Sequence, residues 1–170
     1  MDIKSKIFYK KYLPIDEFVE KILYDPQNGY YVKRNPFNKQ GDYITSPNIS
    51  PIFSEIVSIW IVSLWNKFGK PKKINIVELG PGNGEMTRIL SRSLKKFLKI
   101  NSFEIFLYEK SISLVNLQKK RIKDPCVKWI NNFNKIKSGP VIFIGKFQKK
   151  PNYPKKTQIH IELLIKQNPI

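Results

Sequence analysis

An α/β fold is predicted, with a Rossmann-like, incomplete parallel sheet behind an N-terminal helical and loop region, and three observations carry that prediction. From Ile74 onward, short apolar runs alternate with helical patterns, the signature of parallel strands joined by crossover helices. The first run flows into the glycine turn Glu78-Leu-Gly80-Pro-Gly82-Asn-Gly84. The run Val141-Ile-Phe-Ile144 is apolar on both faces, as a strand inside a parallel sheet must be.

Taken in order, Ile15, Phe18, Val19, Ile22 and Leu23 recur at helical spacing, so 15–24 reads as an amphipathic helix that Asp25-Pro26 ends. The stretch 27–51 is rich in Pro, Gly, Asn, Ser and Tyr with little periodicity. Loops of that length are usually functional or disordered, and Tyr30, Tyr31, Phe37 and Tyr43, which could bury area or line a pocket, argue against disorder. Ser50-Pro51 is a good helix start, and the stripe Ile52, Phe53, Ile56, Val57, Trp60, Leu64, Trp65 and Phe68 marks a long buried helix stopped by Gly69 and Pro71. Strand 74–79 leads to a helix over 85–98, and strand 103–108 to a helix over 111–122. Two short strands follow at 126–130 and 141–144. Three regions result: 1–73, helical and loop, covering the site; 74–145, a partial Rossmann-like domain; and 146–170, a lysine-rich tail.

The glycine turn is where chemistry is expected. Gly80 allows a tight turn off the strand, Gly82 lets backbone approach a ligand, and Gly84 permits close helix packing. The spacing differs from the Gly-x-Gly-x-x-Gly of dinucleotide enzymes. A pyrophosphate favours a helix N-terminus free of negative charge, whereas Glu78 precedes this turn and Glu85 follows it. A cofactor with sulfonium and ammonium groups, S-adenosyl-L-methionine, fits better. The second element of such a site is a carboxylate at the end of the next strand, able to accept both ribose hydroxyls. Glu109 stands there, directly after Phe103-Glu-Ile-Phe-Leu-Tyr108.

Composition sets the limits. The chain has 170 residues, 41% apolar and 13% aromatic, enough for one domain with a core. No apolar run reaches the roughly 18 residues of a membrane span. One cysteine, Cys126, allows no internal disulfide, and with one histidine, His160, the usual ligands of a transition-metal cluster are missing. No metal site and a cytoplasm-like reducing compartment are expected. The net charge of +18 invites a nucleic-acid partner. Because Lys, Asn and Ile are abundant throughout, the balance is against specific nucleic-acid binding and favours a gene rich in A and T.

Three ordered segments, Leu23-Tyr-Asp-Pro-Gln-Asn-Gly-Tyr-Tyr31, Gly41-Asp-Tyr-Ile-Thr-Ser-Pro47 and Glu78-Leu-Gly-Pro-Gly-Asn-Gly84, together resemble the MidA-type S-adenosylmethionine-dependent methyltransferases. That family includes a mitochondrial arginine methyltransferase linked to respiratory complex I assembly. The resemblance covers about 15–145 and implies a class I methyltransferase fold, with Gly80, Gly82 and Gly84 around the methionine part of the cofactor and Glu109 on the ribose. It places Gly41, Asp42, Tyr43 and Thr45 in an element covering the site, and implies a protein substrate, a complex I subunit among the candidates, in the cytoplasm or the mitochondrial matrix. Asp42 is the candidate carboxylate for orienting the nucleophile.

Departures accompany the match. The family usually has Glu where Asn48 stands, Arg where Asn83 stands and Asp near Arg88. After Gly145 its pattern stops, and 146–170, with six lysines and one glutamate, reads as truncated or frameshifted sequence, so impaired activity is expected. Without later strands the sheet would leave 141–144 near an edge, which 158–165 could fill. A non-catalytic remnant, a binding or assembly module, and a basic RNA-binding domain are the alternatives.

Overall fold

The computed structural model describes residues 14–33, 50–136, 139–145 and 158–160. Its centre is a parallel sheet whose strands each follow an apolar run. They are β1 (Ile74–Leu79), β2 (Phe103–Tyr108), β3 (Val127–Ile130), β4 (Val141–Gly145) and a short β5 (Gln158–His160), in the order β3-β2-β1-β4-β5. β1 is central, in register with β2 from Ile74 opposite Phe103 to Leu79 opposite Tyr108, and with β4 from Asn75 opposite Val141 to Leu79 opposite Gly145. β5 pairs with β4, so β4 is covered where it meets Gln158 to His160. The remainder of the expected edge filler, 161–165, lies outside the described residues.

Alternation along the strands produces two apolar layers. Ile74, Ile76, Phe103, Ile105, Leu107, Ile142 and Ile144 pack on one face with Val57, Ile61, Leu90 and Leu94. The last four come from α3 (Pro51–Lys67) and α4 (Glu85–Leu94), two helices packed on each other. On the other face Val77, Phe106, Ile130 and Phe143 form a second cluster, backed by Phe133 and Tyr108. Burying a large apolar side chain stabilises by about 1.5 to 3 kcal/mol, so strands lined on both faces anchor the sheet.

Several boundaries differ from expectation for physical reasons. α4 ends at Leu94, and 95–98 is a turn in which the Leu98 N–H still reaches the Leu94 carbonyl. β3 starts at Val127 because the Cys126 N–H is taken by the Asp124 carboxylate at 3.0 Å. In α3, Ser50 accepts from the Ile52 N–H as expected of an N-cap, but the buried face runs through Ser54, Val57, Ser58 and Ile61. Ile52, Ile56 and Trp60, expected inside, are exposed, Ile52 by 62%. The helix is apolar nearly all round, so periodicity does not identify its inner side.

α1 (Ile15–Tyr24) has no fully buried residue, contrary to its amphipathic pattern. It ends at Asp25, whose carboxylate accepts from the Gln27 and Asn28 N–H groups at 3.0 and 2.9 Å, an Asx turn. The part of 27–51 expected to lack periodicity contains a short helix, α2 (Tyr30–Lys33). It docks on α5 (Ile112–Arg121), where the hydroxyls of Ser111 and Ser113 donate to the Tyr31 carbonyl at 2.9 and 2.8 Å. Tyr31 also stacks against Tyr24, ring centroids 5.5 Å apart.

Candidate functional site

β1 connects to β2 on one side, and the chain later returns as β4 on the other. The strand order reverses between β1 and β4, and ligands of open α/β sheets bind outside the carboxyl ends of the strands at such a point. The glycine turn leaves β1 there. Its first N–H, of Gly80, reaches the Tyr108 carbonyl at the end of β2 at 3.0 Å. Gly80 has φ of +65°, and a side-chain carbon added to it would meet nothing within 4 Å among the described residues, whereas Pro81, Gly82, Asn83 and Gly84 are buried. Gly84, with φ of +77°, has the opposite surroundings: an added carbon would come within 2.9 Å of Ile122 Cδ1 and 3.2 Å of Gln118 Cγ. Helix packing therefore dictates Gly84, as the spacing suggests.

Glu109 lies at the same end of the sheet. Its carboxylate accepts from the Ser111 N–H at 2.9 Å and sits against the Gly82 N–H and the Gln118 side-chain amide. Burial raises its pKa, and these donors, with the Lys110 N–H, oppose the rise without cancelling it. Tyr24 borders it from α1: burial, then the charge of Glu109, pushes the phenol up to about 12. Lys110 stands over the Tyr24 ring at 5.6 Å and pairs with Glu20 at 2.9 Å. The N-terminal helices thus border the Glu109 end of the crevice.

Glu78 sits beneath the turn rather than on its surface. It is 4% exposed, and its carboxylate accepts from the Thr87 hydroxyl of α4. Burial pushes its pKa up to about 7, with Thr87 lowering it and Glu109 raising it. Glu85 is neutralised by Arg88, whose guanidinium reaches both carboxylate oxygens at 3.0 and 2.6 Å. Of the two charges thought to exclude a pyrophosphate, one is therefore paired and the other titrates near neutrality.

The sequence did not single out three residues of the site. Asn83 accepts from the Glu85 N–H at 3.1 Å and so starts α4, and Thr87 holds Glu78. Gln118, 0% exposed, donates to the Gly82 carbonyl at 2.7 Å and accepts from the Trp129 indole N–H at 2.9 Å. Leu114, Gln118 and Ile122 share the buried side of α5 and its end, and a lone polar residue on such a stripe is the signal that was available. Gly41, Asp42, Tyr43 and Thr45 lie outside the described residues. Among the described residues no group of three His, Cys, Asp or Glu could hold a metal, and no helix is long and apolar enough to cross a membrane.

Fold and crevice together define a Rossmann-like α/β protein with a glycine turn and a strand-end carboxylate at the switch point of its sheet. The chain belongs to the family of putative S-adenosyl-L-methionine-dependent methyltransferases, whose model matches residues 56–146. It is 41% identical over 119 residues to a mitochondrial protein arginine methyltransferase NDUFAF7 homolog of Drosophila melanogaster, covering 70% of this chain and 27% of that protein. The mitochondrial protein arginine methyltransferase NDUFAF7 of Homo sapiens is 38% identical over 109 residues, 62% of this chain and 25% of that protein. The chain thus spans about a quarter of the length of these relatives. A Burkholderia thailandensis crystal structure bound to S-adenosyl-homocysteine superimposes with a TM-score of 0.59 at 21% identity, over 77% of this chain and 36% of that one. It shares the fold.

Proposed function

We propose that the chain binds S-adenosyl-L-methionine at the carboxyl ends of β1 and β2, beside the switch point of the sheet, and takes part in methyl transfer to a nitrogen of a protein arginine. The observation that carries this reading is the Gly80 N–H donating to the Tyr108 carbonyl at 3.0 Å, which sets the glycine turn and Glu109 at the same carboxyl ends of β1 and β2. The site suits the cofactor: a side-chain carbon added at Gly80 would meet nothing within 4 Å among the described residues, and the acceptor atoms of Glu109 match vicinal hydroxyls.

Glu109 would take the ribose hydroxyls, and the backbone from Gly80 to Gly82 the methionine part. Asp42 would pair with the acceptor nitrogen and orient it. When bound, the cofactor supplies a methyl group on a sulfonium: the sulfur keeps the electron pair of the broken S–C bond while the nitrogen forms the new N–C bond and gives up a proton. The relatives named above support a protein acceptor, a subunit of respiratory complex I being the partner class we propose, and the mitochondrial matrix or an equivalent compartment as the setting.

The test is calorimetric titration of the wild-type chain with S-adenosylhomocysteine, followed by assay of labelled methyl transfer to extract proteins. Saturable one-to-one binding that Glu109→Ala weakens is expected, with label on arginine at a rate far below that of the full-length relatives. Absence of saturable binding overturns the reading, and binding with no transfer to any protein leaves a cofactor-binding module.

A further inference from the structure

We propose that Gln118 is a positioning residue of this cofactor site, holding the Gly82 peptide and, through it, the shape of the glycine turn. The inference deepens the reading above and rests on it for its consequence, but the geometry stands by itself. Gln118 projects from α5, which follows the strand carrying Glu109, into a fully buried position behind the turn. Its amide orientation is fixed by chemistry. The Trp129 indole N–H can only donate, so the side-chain oxygen must face it at 2.9 Å. The Gly82 carbonyl can only accept, so the side-chain nitrogen must face Gly82 at 2.7 Å.

The consequence for the turn follows from peptide planarity. In a trans peptide the C=O and the next N–H point in opposite directions. Anchoring the Gly82 carbonyl against α5 therefore fixes the direction of the Asn83 N–H, just before the helix whose first N–H, of Glu85, donates to the Asn83 side chain. Gly84 allows this arrangement, since a side chain there would strike Gln118 Cγ and Ile122. The same Gln118 amide also stabilises the Glu109 carboxylate. One side chain therefore ties the glycine turn to α5 and, through Trp129, to strand β3. A hydrophobic residue of the same size would fill the space without fixing the turn.

Gln118→Met keeps the volume and removes both hydrogen bonds, while Gln118→Glu can still accept from Trp129 but sets one acceptor against another at Gly82. Trp129→Phe removes only the donor that orients the amide. Leu117→Ala, at a half-buried position of the same helix, serves as the control for general loosening. In the full cofactor-free chain, amide hydrogen exchange is expected to accelerate selectively at Gly82 to Glu85 in Gln118→Met and Gln118→Glu, less in Trp129→Phe, and not selectively in Leu117→Ala. S-adenosylhomocysteine affinity is expected to fall roughly tenfold or more in the first two variants, against little change in the control. Exchange in Gln118→Met that rises uniformly over the sheet or not at all, or an affinity loss no larger than that of Leu117→Ala, overturns the proposal. If wild type binds no S-adenosylhomocysteine, the proposed function falls, and the exchange pattern still decides the role of Gln118.

Discussion

The Gly80 N–H donates to the Tyr108 carbonyl at 3.0 Å, which sets the glycine turn beside the strand exit that carries Glu109. Their proximity depends on β1 and β2 being parallel and in register up to Leu79 and Tyr108. A hydrogen bond to a charged group contributes about 1.5 to 3 kcal/mol. Glu109→Ala is accordingly expected to weaken S-adenosylhomocysteine binding by that amount while the melting temperature stays near wild type, checked by calorimetry and thermal unfolding. Gly82→Val, which forces a branched side chain onto a residue with φ of +57°, should abolish binding.

Gly80 and Gly84 share a positive φ but differ in surroundings, which separates strain from crowding. Gly80→Ala meets no described residue within 4 Å and should cost only the left-handed backbone penalty, about 1 to 2 kcal/mol. Gly84→Ala adds a collision with Ile122 and Gln118, so about 2 to 5 kcal/mol is expected. Urea unfolding of the two variants gives the comparison.

Much of this architecture is visible in the sequence, for stated physical reasons. β1 and β2 are apolar runs bounded by turn residues, and the Gly-x-Gly-x-Gly turn announces its own position. The order of the strands is not visible, because no local pattern says that Val141–Gly145 returns beside Ile74–Leu79 rather than beside β3. Nor is the buried side of α3, where Ile52 and Ile61 look alike in sequence yet differ completely in exposure. At the site, Glu109 and the glycines could be placed from spacing, whereas Gln118 acts through a carbonyl 36 residues away. Pairing across that separation leaves no local trace.

Glu78 makes stability depend on pH with a definite sign. Its folded pKa, about 7, lies above that of an unfolded glutamate, so between the two values the native state binds more protons. Stability should fall as pH rises through that window, by roughly 3 kcal/mol, and stay flat above it. Glu78→Gln is expected to flatten this slope, read from unfolding midpoints between pH 4 and pH 8 (about the span of the two pKa values).

Asp124 titrates with the opposite sign. Burial raises its pKa, but the Lys95 ammonium at 2.6 Å and the Cys126 N–H outweigh burial and hold it below the ordinary carboxylate range. Its contribution is present above the unfolded pKa and lost as pH falls through the folded one. Asp124→Asn should cost about 1 kcal/mol at neutral pH and almost nothing at strongly acidic pH, measured in the same titration.

The central place of β1 has a consequence for how the chain acquires its structure. β1 pairs first with the strand next in sequence, while its other edge waits for β4, with β2, α5 and β3 intervening. Closing a long loop costs entropy before its contacts repay it, so β3, β2 and β1 can assemble while the β4 side of β1 is still open. During synthesis the growing chain would expose that edge until 141–145 leaves the ribosome. The switch point between β1 and β4 is therefore among the last features of the sheet to form, whereas the β1 and β2 ends that carry the glycine turn and Glu109 can be in place before it.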